Sequence, residues 1–377
     1  MGFSKKKWLW LAFSILLFLG FSYWLIGKIQ YRLHVMDVEA YEPVSTLKVP
    51  EHLLTQAKYP FVDVHNHQFT MPIQNLDKLV AEMDELNMAV MVNLSGFRGK
   101  YLEWSLDNVN KKYSDRFVLF MNIDFEKLDD EGWPENSLAI MENAVKMGAK
   151  GLKVYKSLGL TDKDNEGNRI RVDDPRLDPI WAKCGELGIP VLIHTGEPAA
   201  FWLPKDKYNE RWLELKQYPS RYKDPENNPS FEEVMAEQHN IFRKHPQTKF
   251  IAAHLGWFGN DLTRLGKILD EMPNVYTELG AVLAELGRQP ITARNWLIQY
   301  QDRVLMGKDS YKKEEYHTYF RVLETYDEYF DYYRKRHAHW KMYGLGLPDP
   351  VLQKIYYKNA LKLIPGIDEA LFEGVVE

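Results

Sequence analysis

Eight short apolar, β-branched runs recur along the chain, at 61–67, 89–96, 117–124, 149–157, 190–196, 250–256, 275–281 and 303–310. Between most of them lie segments with helical spacing, such as 76–86, 137–147, 178–187, 231–244 and 261–272. Strands alternating with helices of that length pair in parallel through crossovers, and eight such units in one domain predict a (β/α)8 barrel, the α/β TIM-barrel class. The chain shows no internal repeat and no low-complexity tract. Two stretches break the rhythm: 197–230 follows the fifth strand without a clear helix, and 311–347 follows the eighth. Loops at the carboxyl ends of barrel strands shape active sites, so these two insertions are expected to be lids and walls.

Ahead of the barrel, residues 8–26 (WLWLAFSILLFLGFSYWLI) carry no charge. As a helix rising roughly 1.5 Å per residue the stretch spans about 28 Å, close to the hydrocarbon thickness of a bilayer. Lys5, Lys6 and Lys7 precede it, while only Lys28 and Arg32 follow closely. The positive-inside bias then places the N-terminus in the cytoplasm and the barrel on the extracytoplasmic side of a single-pass membrane protein. A cleaved signal peptide is the rival reading, but the stretch ends in Ser22-Tyr23-Trp24-Leu25-Ile26 rather than at a small-x-small site, which favours a signal-anchor. The layout expected is an anchor over 1–33, a tether over 34–58 that mixes polar residues and prolines, and the barrel over 59–377.

The five basic residues before His34 come without an acid, leaving 43 basic against 53 acidic side chains over the remainder. No run of Lys and Arg outside the N-terminus offers a phosphate-binding surface, so a nucleic-acid partner is excluded. A single cysteine, Cys184, rules out an intramolecular disulfide and any cysteine-based zinc site. A metal in this chain has to be held by histidines and carboxylates.

Those residues fall at the strand ends. Four of the eleven histidines stand in the last residues of predicted strands: His65 and His67 in FVDVHNH, His194 in PVLIHTG and His254 in FIAAHLG. Asp309 joins them in RVLMGKDS. Residues two apart on a strand share a face, so Asp63, His65 and His67 are expected to point to the barrel axis together, and His194, His254 and Asp309 likewise. A lone inward histidine is ordinarily a hydrogen-bonded core residue. Four of them with an aspartate, at the ends of strands one, five, six and eight, form a ligand set for zinc or a similar divalent ion with an open position for water.

The pattern His65-x-His67, His194 in IHTGEP, His254 in AAHLG and Asp309 on the last strand resembles the amidohydrolase superfamily, closest to the amidohydrolase-related branch that includes the aminocarboxymuconate-semialdehyde decarboxylase group. The resemblance runs from about Phe61 to Pro365 and includes VLQKIYYKNALKL, similar to the family's final helix with its Asn-Ala-x-x-Leu signature. It implies that His65, His67, His194 and Asp309 bind the metal, while His254 binds a second metal or polarises the substrate. Lys308 departs from the family, which usually has a small or hydroxyl residue before the aspartate. Lys153 in GLKVYKS is similar to the strand-four lysine that is carboxylated and bridges two metals in binuclear members; its other reading is a substrate-binding residue. Lys156 falls on the opposite strand face and reads as a surface residue.

A metal-bound water and a carboxylate able to take its proton give hydrolysis of an amide, ester or lactone, with Asp309 as proton carrier and His254 at the developing oxyanion. Arg98 just past strand two and Glu278 near the end of strand seven are further candidates to reach substrate, and Glu197 after the strand-five histidine motif to reach it or orient a ligand. The plainer readings are a surface loop cation for Arg98 and a structural hydrogen-bonding residue for Glu278. The aromatic density of both insertions suggests a lining for a small, ring-bearing substrate, or simply packing on the barrel rim. A metal-dependent decarboxylase of an unsaturated or aromatic acid is the alternative, because relatives of that kind share the ligands. A non-catalytic binding module is disfavoured by the full ligand set.

Overall fold

The computed structural model of the protein describes residues 4–33, 35–337 and 339–373. They fall into two compact units, one through Leu47 and one from Lys48 onward. In the first unit a helix over Lys5–Leu33 has no buried residue and is long and apolar enough to cross a membrane. Within the stretch read as a tether, the end belongs to the second unit: the backbone amide of His52 donates to Asp327 at 2.7 Å, and that of Ala57 to the Leu86 carbonyl at 3.1 Å.

The second unit is the expected barrel. Its strands β1 (Phe61–Asn66), β2 (Met88–Asn93), β3 (Phe117–Met121), β4 (Gly151–Val154), β5 (Val191–Ile193), β6 (Phe250–Ala252), β7 (Val275–Glu278) and β8 (Val304–Leu305) are hydrogen-bonded in sequence order. β8 returns to β1, where the Val64 amide donates to Met306 O at 3.0 Å and the Asp309 amide to His65 O at 2.6 Å. Every residue of β1 is buried, as it must be when side chains fill the barrel on one side and helices cover the other. The helices start and stop where their chemistry directs. Ser230 Oγ accepts from the Glu233 amide to open Phe231–Lys244, and Asp261 accepts from the Arg264 amide to open Leu262–Glu271. Asn359, in the final helical stretch, ties it to the base of β8 by donating to Gln301 O at 2.7 Å and Val304 O at 2.8 Å.

Two expectations change. Most strands stop short of the predicted ends, so His67, His194, His254 and Asp309 lie in the loops just beyond them rather than on them. The backbone is left-handed at His254 (φ 60°), Leu255 (φ 53°) and Asp309 (φ 81°), which a continuing strand would forbid. The second change concerns the insertions. The region after β8 begins with a regular helix, Lys313–Glu324, whose Tyr316 and Phe320 pack on Phe61 with ring centroids 6.0 and 5.6 Å away. Only beyond it does an extra hairpin form, Phe330–Asp331 against Lys341–Met342. The region after β5 holds a short helix, Trp212–Gln217, too brief to leave a periodic signature.

Candidate metal centre

At the carboxyl end of the barrel, ligand atoms of His65, His254 and Asp309 all lie within 4.8 Å of one another. The Asp309 Oδ1 atom is 3.5 Å from His65 Nε2 and 3.8 Å from His67 Nε2. His254 Nε2 lies 3.2 Å from His194 Nδ1, which joins the fourth histidine to the group. The five residues singled out from the sequence therefore converge on one place. Gly307 makes the convergence possible: a Cβ there would sit 2.2 Å from Glu278 Oε2 and 3.1 Å from the His65 Cβ.

Hydrogen bonding fixes the tautomers. His65 donates from Nδ1 to Glu278 Oε1 at 2.9 Å, leaving its Nε2 lone pair toward Asp309. His254 donates from Nδ1 to the Gly280 carbonyl at 2.7 Å, so its Nε2 is an acceptor for the Nδ1 proton of His194. That leaves His194 Nε2 as a lone pair, and the atom is buried with no hydrogen-bond partner. His67 Nδ1 is 2.8 Å from Ser95 Oγ, which leaves Nε2 facing Asp309. Two imidazole Nε2 atoms turned to the Asp309 carboxylate, with the unmet, buried Nε2 of His194 beside His254, form a donor set that fits a divalent ion.

Electrostatics keep the donors in the required state. Burial, reinforced by the Lys153 ammonium, holds His65 well below its ordinary range and His67 down to about 3. Burial and His254 do the same to His194. Burial pushes the Asp309 carboxyl up, but His65, His254, His67 and Lys153 together outweigh it and hold the carboxyl well below its usual range. Lys153 itself is buried, 3.5 Å from His65 Nε2, and desolvation brings it down to about 8 against the pull of Asp309 and Glu278.

The family model described as Amidohydrolase matches residues 29–366. The chain belongs to the amidohydrolase family. Members of that family use a divalent metal, consistent with the His/His/Asp cluster of this amidohydrolase. A search of curated proteins finds no match. Among solved structures, a 2,6-dihydroxybenzoate decarboxylase complexed with 2,6-dihydroxybenzoate is 15% identical, covering 84% of this chain and 99% of its own, with a TM-score of 0.51. A dihydroxybenzoic acid decarboxylase from Polaromonas sp. JS666, with bound manganese and the inhibitor 2-nitroresorcinol, is 15% identical over 84% of this chain and 97% of its own, with a TM-score of 0.52. At that identity the likeness is one of fold.

Other residues of this amidohydrolase singled out from the sequence sit further out. Arg98 pairs with Asp124 at 3.0 Å, and both line a cavity of about 210 Å³ that Lys153 and Tyr155 also border. Glu197 is engaged by Lys156 at 2.5 Å. Glu278 is wholly buried, its oxygens taken by His65 Nδ1 and the backbone amides of His254 and Gly280. Asp63 is likewise interior, accepting from Tyr316 at 2.6 Å and Asn66 at 2.8 Å; burial pushes its carboxyl up to about 6 against those bonds. Lys308 is buried beside Tyr333 and pairs with Glu315 at 2.6 Å. Tyr316, Tyr319 and Phe320 serve packing, not a lining. Ser95, Tyr155 and Trp257 were not anticipated. Trp257 lies against His194 and His254, with ring centroids 5.6 and 4.6 Å away. Its place three residues after the strand-six histidine is the only signal the sequence carries for it.

Proposed function

We propose that the protein is a metal-dependent hydrolase of an amide or ester (lactone) bond in a small, ring-bearing substrate. The reading rests on one observation: Asp309, a third exposed at its side chain, is the ionised group that borders both the buried histidine Nε2 atoms and the open mouth of the barrel. His65, His67, His194 and Asp309 would hold one divalent ion, with zinc the expected metal for an imidazole-rich set. Such an ion, when bound, supplies Lewis acidity toward a carbonyl and lowers the pKa of water. Asp309 accepts the proton of the attacking water at a carboxylate oxygen and returns it to the leaving amine or alcohol. The charge developing on the carbonyl oxygen would be met by the ion; His254, whose Nδ1 proton goes to the Gly280 carbonyl and whose Nε2 carries none, stabilises it only once Nε2 has taken up a proton. Lys153 is placed to support the same oxygen and, if carboxylated, would help hold a second ion. Arg98, with Tyr155 across the cavity they share, contacts the substrate remote from the reacting bond.

A metal-dependent decarboxylase of an aromatic acid is the second reading, favoured by the two decarboxylases whose fold the chain shares. Turnover in ¹⁸O-labelled water separates the two. Hydrolysis places the label in the product carboxylate, whereas decarboxylation releases carbon dioxide and puts a solvent proton on carbon. A panel of amides, lactones and aromatic acids giving only unlabelled, decarboxylated product overturns the first reading.

The proposed layout is an N-terminal membrane anchor over 1–33, a tether over 34–58 and the barrel over 59–377 on the extracytoplasmic side. The apolar Lys5–Leu33 helix, with Lys5, Lys6 and Lys7 in its first turn ahead of the uncharged stretch 8–26, supports it.

A further inference from the structure

Arg334 lies in the segment joining the two strands of the extra hairpin, partly buried and next in sequence to Tyr333, whose ring is centred 5.2 Å from the Nζ of Lys308, the residue before Asp309. Among the described residues no carboxylate lies within ion-pair distance of its guanidinium, whose closest aromatic neighbour is the Tyr333 ring, centred 5.6 Å away. Its charge instead acts on Asp309 and on the hydroxyls of Tyr319, Tyr332 and Tyr333. The neighbouring cation, Lys308, is already satisfied by Glu315 at 2.6 Å and the Ser310 carbonyl at 3.0 Å.

The phenols repeat the pattern. Tyr332 is 6% exposed and its ring centroid is 4.3 Å from that of Tyr333. The hydroxyls of both are buried; they lie against each other, and that of Tyr333 also against Tyr319, but none of these contacts has the geometry of a hydrogen bond. Tyr319 is occupied, its hydroxyl accepting from the Ala281 amide at 3.1 Å. A guanidinium removed from water without a counter-anion is costly, and so is a buried hydroxyl proton without an acceptor. What Arg334, Tyr332 and Tyr333 lack is the same thing, an anionic acceptor. The planar fork of an arginine matches a carboxylate, and phenol protons add further bonds to its oxygens.

We infer that Arg334, together with the Tyr332 and Tyr333 hydroxyls, binds a carboxylate carried by the substrate and holds it on the Asp309 side of the mouth. The inference rests on reading the histidine cluster as the reaction centre. It narrows the substrate to an amide or ester that carries a separate, uncleaved carboxylate, and it makes Arg334 a specificity-determining residue supplied by the hairpin rather than by the barrel.

The test is binding of benzoate against benzamide, two probes of nearly one shape that differ in charge, to the full chain in detergent by calorimetry. Each is titrated with zinc present and after metal removal, since a bound ion would itself attract a carboxylate. Benzoate should bind more tightly than benzamide in both states. Arg334→Gln should weaken benzoate by about tenfold or more, as loss of a charge-assisted bidentate pair does, and leave benzamide unchanged. Tyr333→Phe should weaken it less, and it serves if the arginine variant does not fold. Equal benzoate affinity in wild type and both variants overturns the inference, as does absence of any preference over benzamide. A chain that binds benzoate through Arg334 yet turns over no amide or ester loses the proposed reaction and keeps the subsite. A chain that hydrolyses amides or esters, yet binds benzoate equally well with and without Arg334, does the opposite.

Discussion

Glu278 accepts the Nδ1 proton of His65 at 2.9 Å, and this one buried carboxylate decides which nitrogen His65 turns toward Asp309. The same carboxylate receives the His254 amide at 2.7 Å, so it positions a second histidine through its backbone. In Glu278→Gln one oxygen becomes an NH2 group that faces donors and has nothing to donate to. Metal affinity is expected to fall by about 10- to 100-fold, as for other outer partners of ligating histidines, measured by competition with a chromophoric chelator. Unchanged affinity would show that the ring orientation does not depend on the carboxylate.

Metal content follows from the donor set. The purified chain should bind one divalent ion, and His67→Ala should lose it, because an open site with fewer protein ligands holds metal weakly. If Lys153 bridges, the count rises to two and Lys153→Ala regains its second ion when a short carboxylic acid is added. A count of one without that rescue removes the bridge. Wild-type turnover by metal-free His67→Ala protein would remove the metal from the mechanism altogether.

Gly307 offers a test of the geometry itself. Its φ is unexceptional, but the space beside it is not, since a methyl group would meet Glu278 Oε2 and the His65 Cβ. Gly307→Ala should destabilise the fold by about 1–3 kcal/mol, typical of over-packing, and also lower metal affinity because both neighbours must shift. Thermal melting and metal titration on the same preparation read the two effects.

Acid stability should depend on a second buried cluster. Glu214 receives Arg211 at 2.9 Å, and His337 Nε2 stands 2.7 Å from the same guanidinium. Burial raises Glu214, but His337, Arg211 and Arg336 together hold it well below the usual carboxylate range. Burial lowers His337 from 6.5 to about 4, with Arg211 pulling the same way against Glu214. His337 stays neutral in the folded chain while the unfolded chain takes up a proton, so its share of stability is lost as pH falls from 6.5 to about 4. Glu214, depressed when folded, adds stability above its unfolded value that is lost on further acidification. The melting temperature should fall across this window, and His337→Gln should flatten the fall between pH 6.5 and 4. An unaltered slope would assign the acid sensitivity elsewhere.

How much of this was legible in the sequence differs by residue. All eight strands were, because a strand buried on both faces writes itself as an apolar run bounded by turns. The centre was legible as a list of residues but not as a geometry. His254 and Asp309 reach it through left-handed backbone, which residues other than glycine seldom adopt and sequence patterns do not announce. Glu278 read as a substrate contact or as a structural hydrogen-bonding residue, because only tertiary structure shows that His65, His254 and Gly280 already occupy it. The helix Lys313–Glu324 was hidden by its own tyrosines, which read as a lining until Phe61 is seen beneath them. Ser95 becomes visible only once β2 lies beside β1 and sets it against His67 Nδ1.

Asp309 carries the last prediction, because it is asked to do two things that a substitution can separate. As a ligand it contributes one carboxylate among three imidazoles, and asparagine keeps a neutral oxygen in the same place. As a proton carrier it needs the negative charge that His65, His254, His67 and Lys153 stabilise. Asp309→Asn should therefore retain part of the metal while losing turnover by roughly 10²-fold or more, since general base catalysis typically contributes 10²–10⁴. His65→Ala and His67→Ala should lose metal and turnover together. The comparison is made at saturating zinc, with bound metal counted in the same samples. Asp309→Asn with full metal and an unchanged rate would show that strand eight does not supply the base, and the role would then pass to His254, whose Nε2 is unprotonated and which is not among the four residues read as ligands.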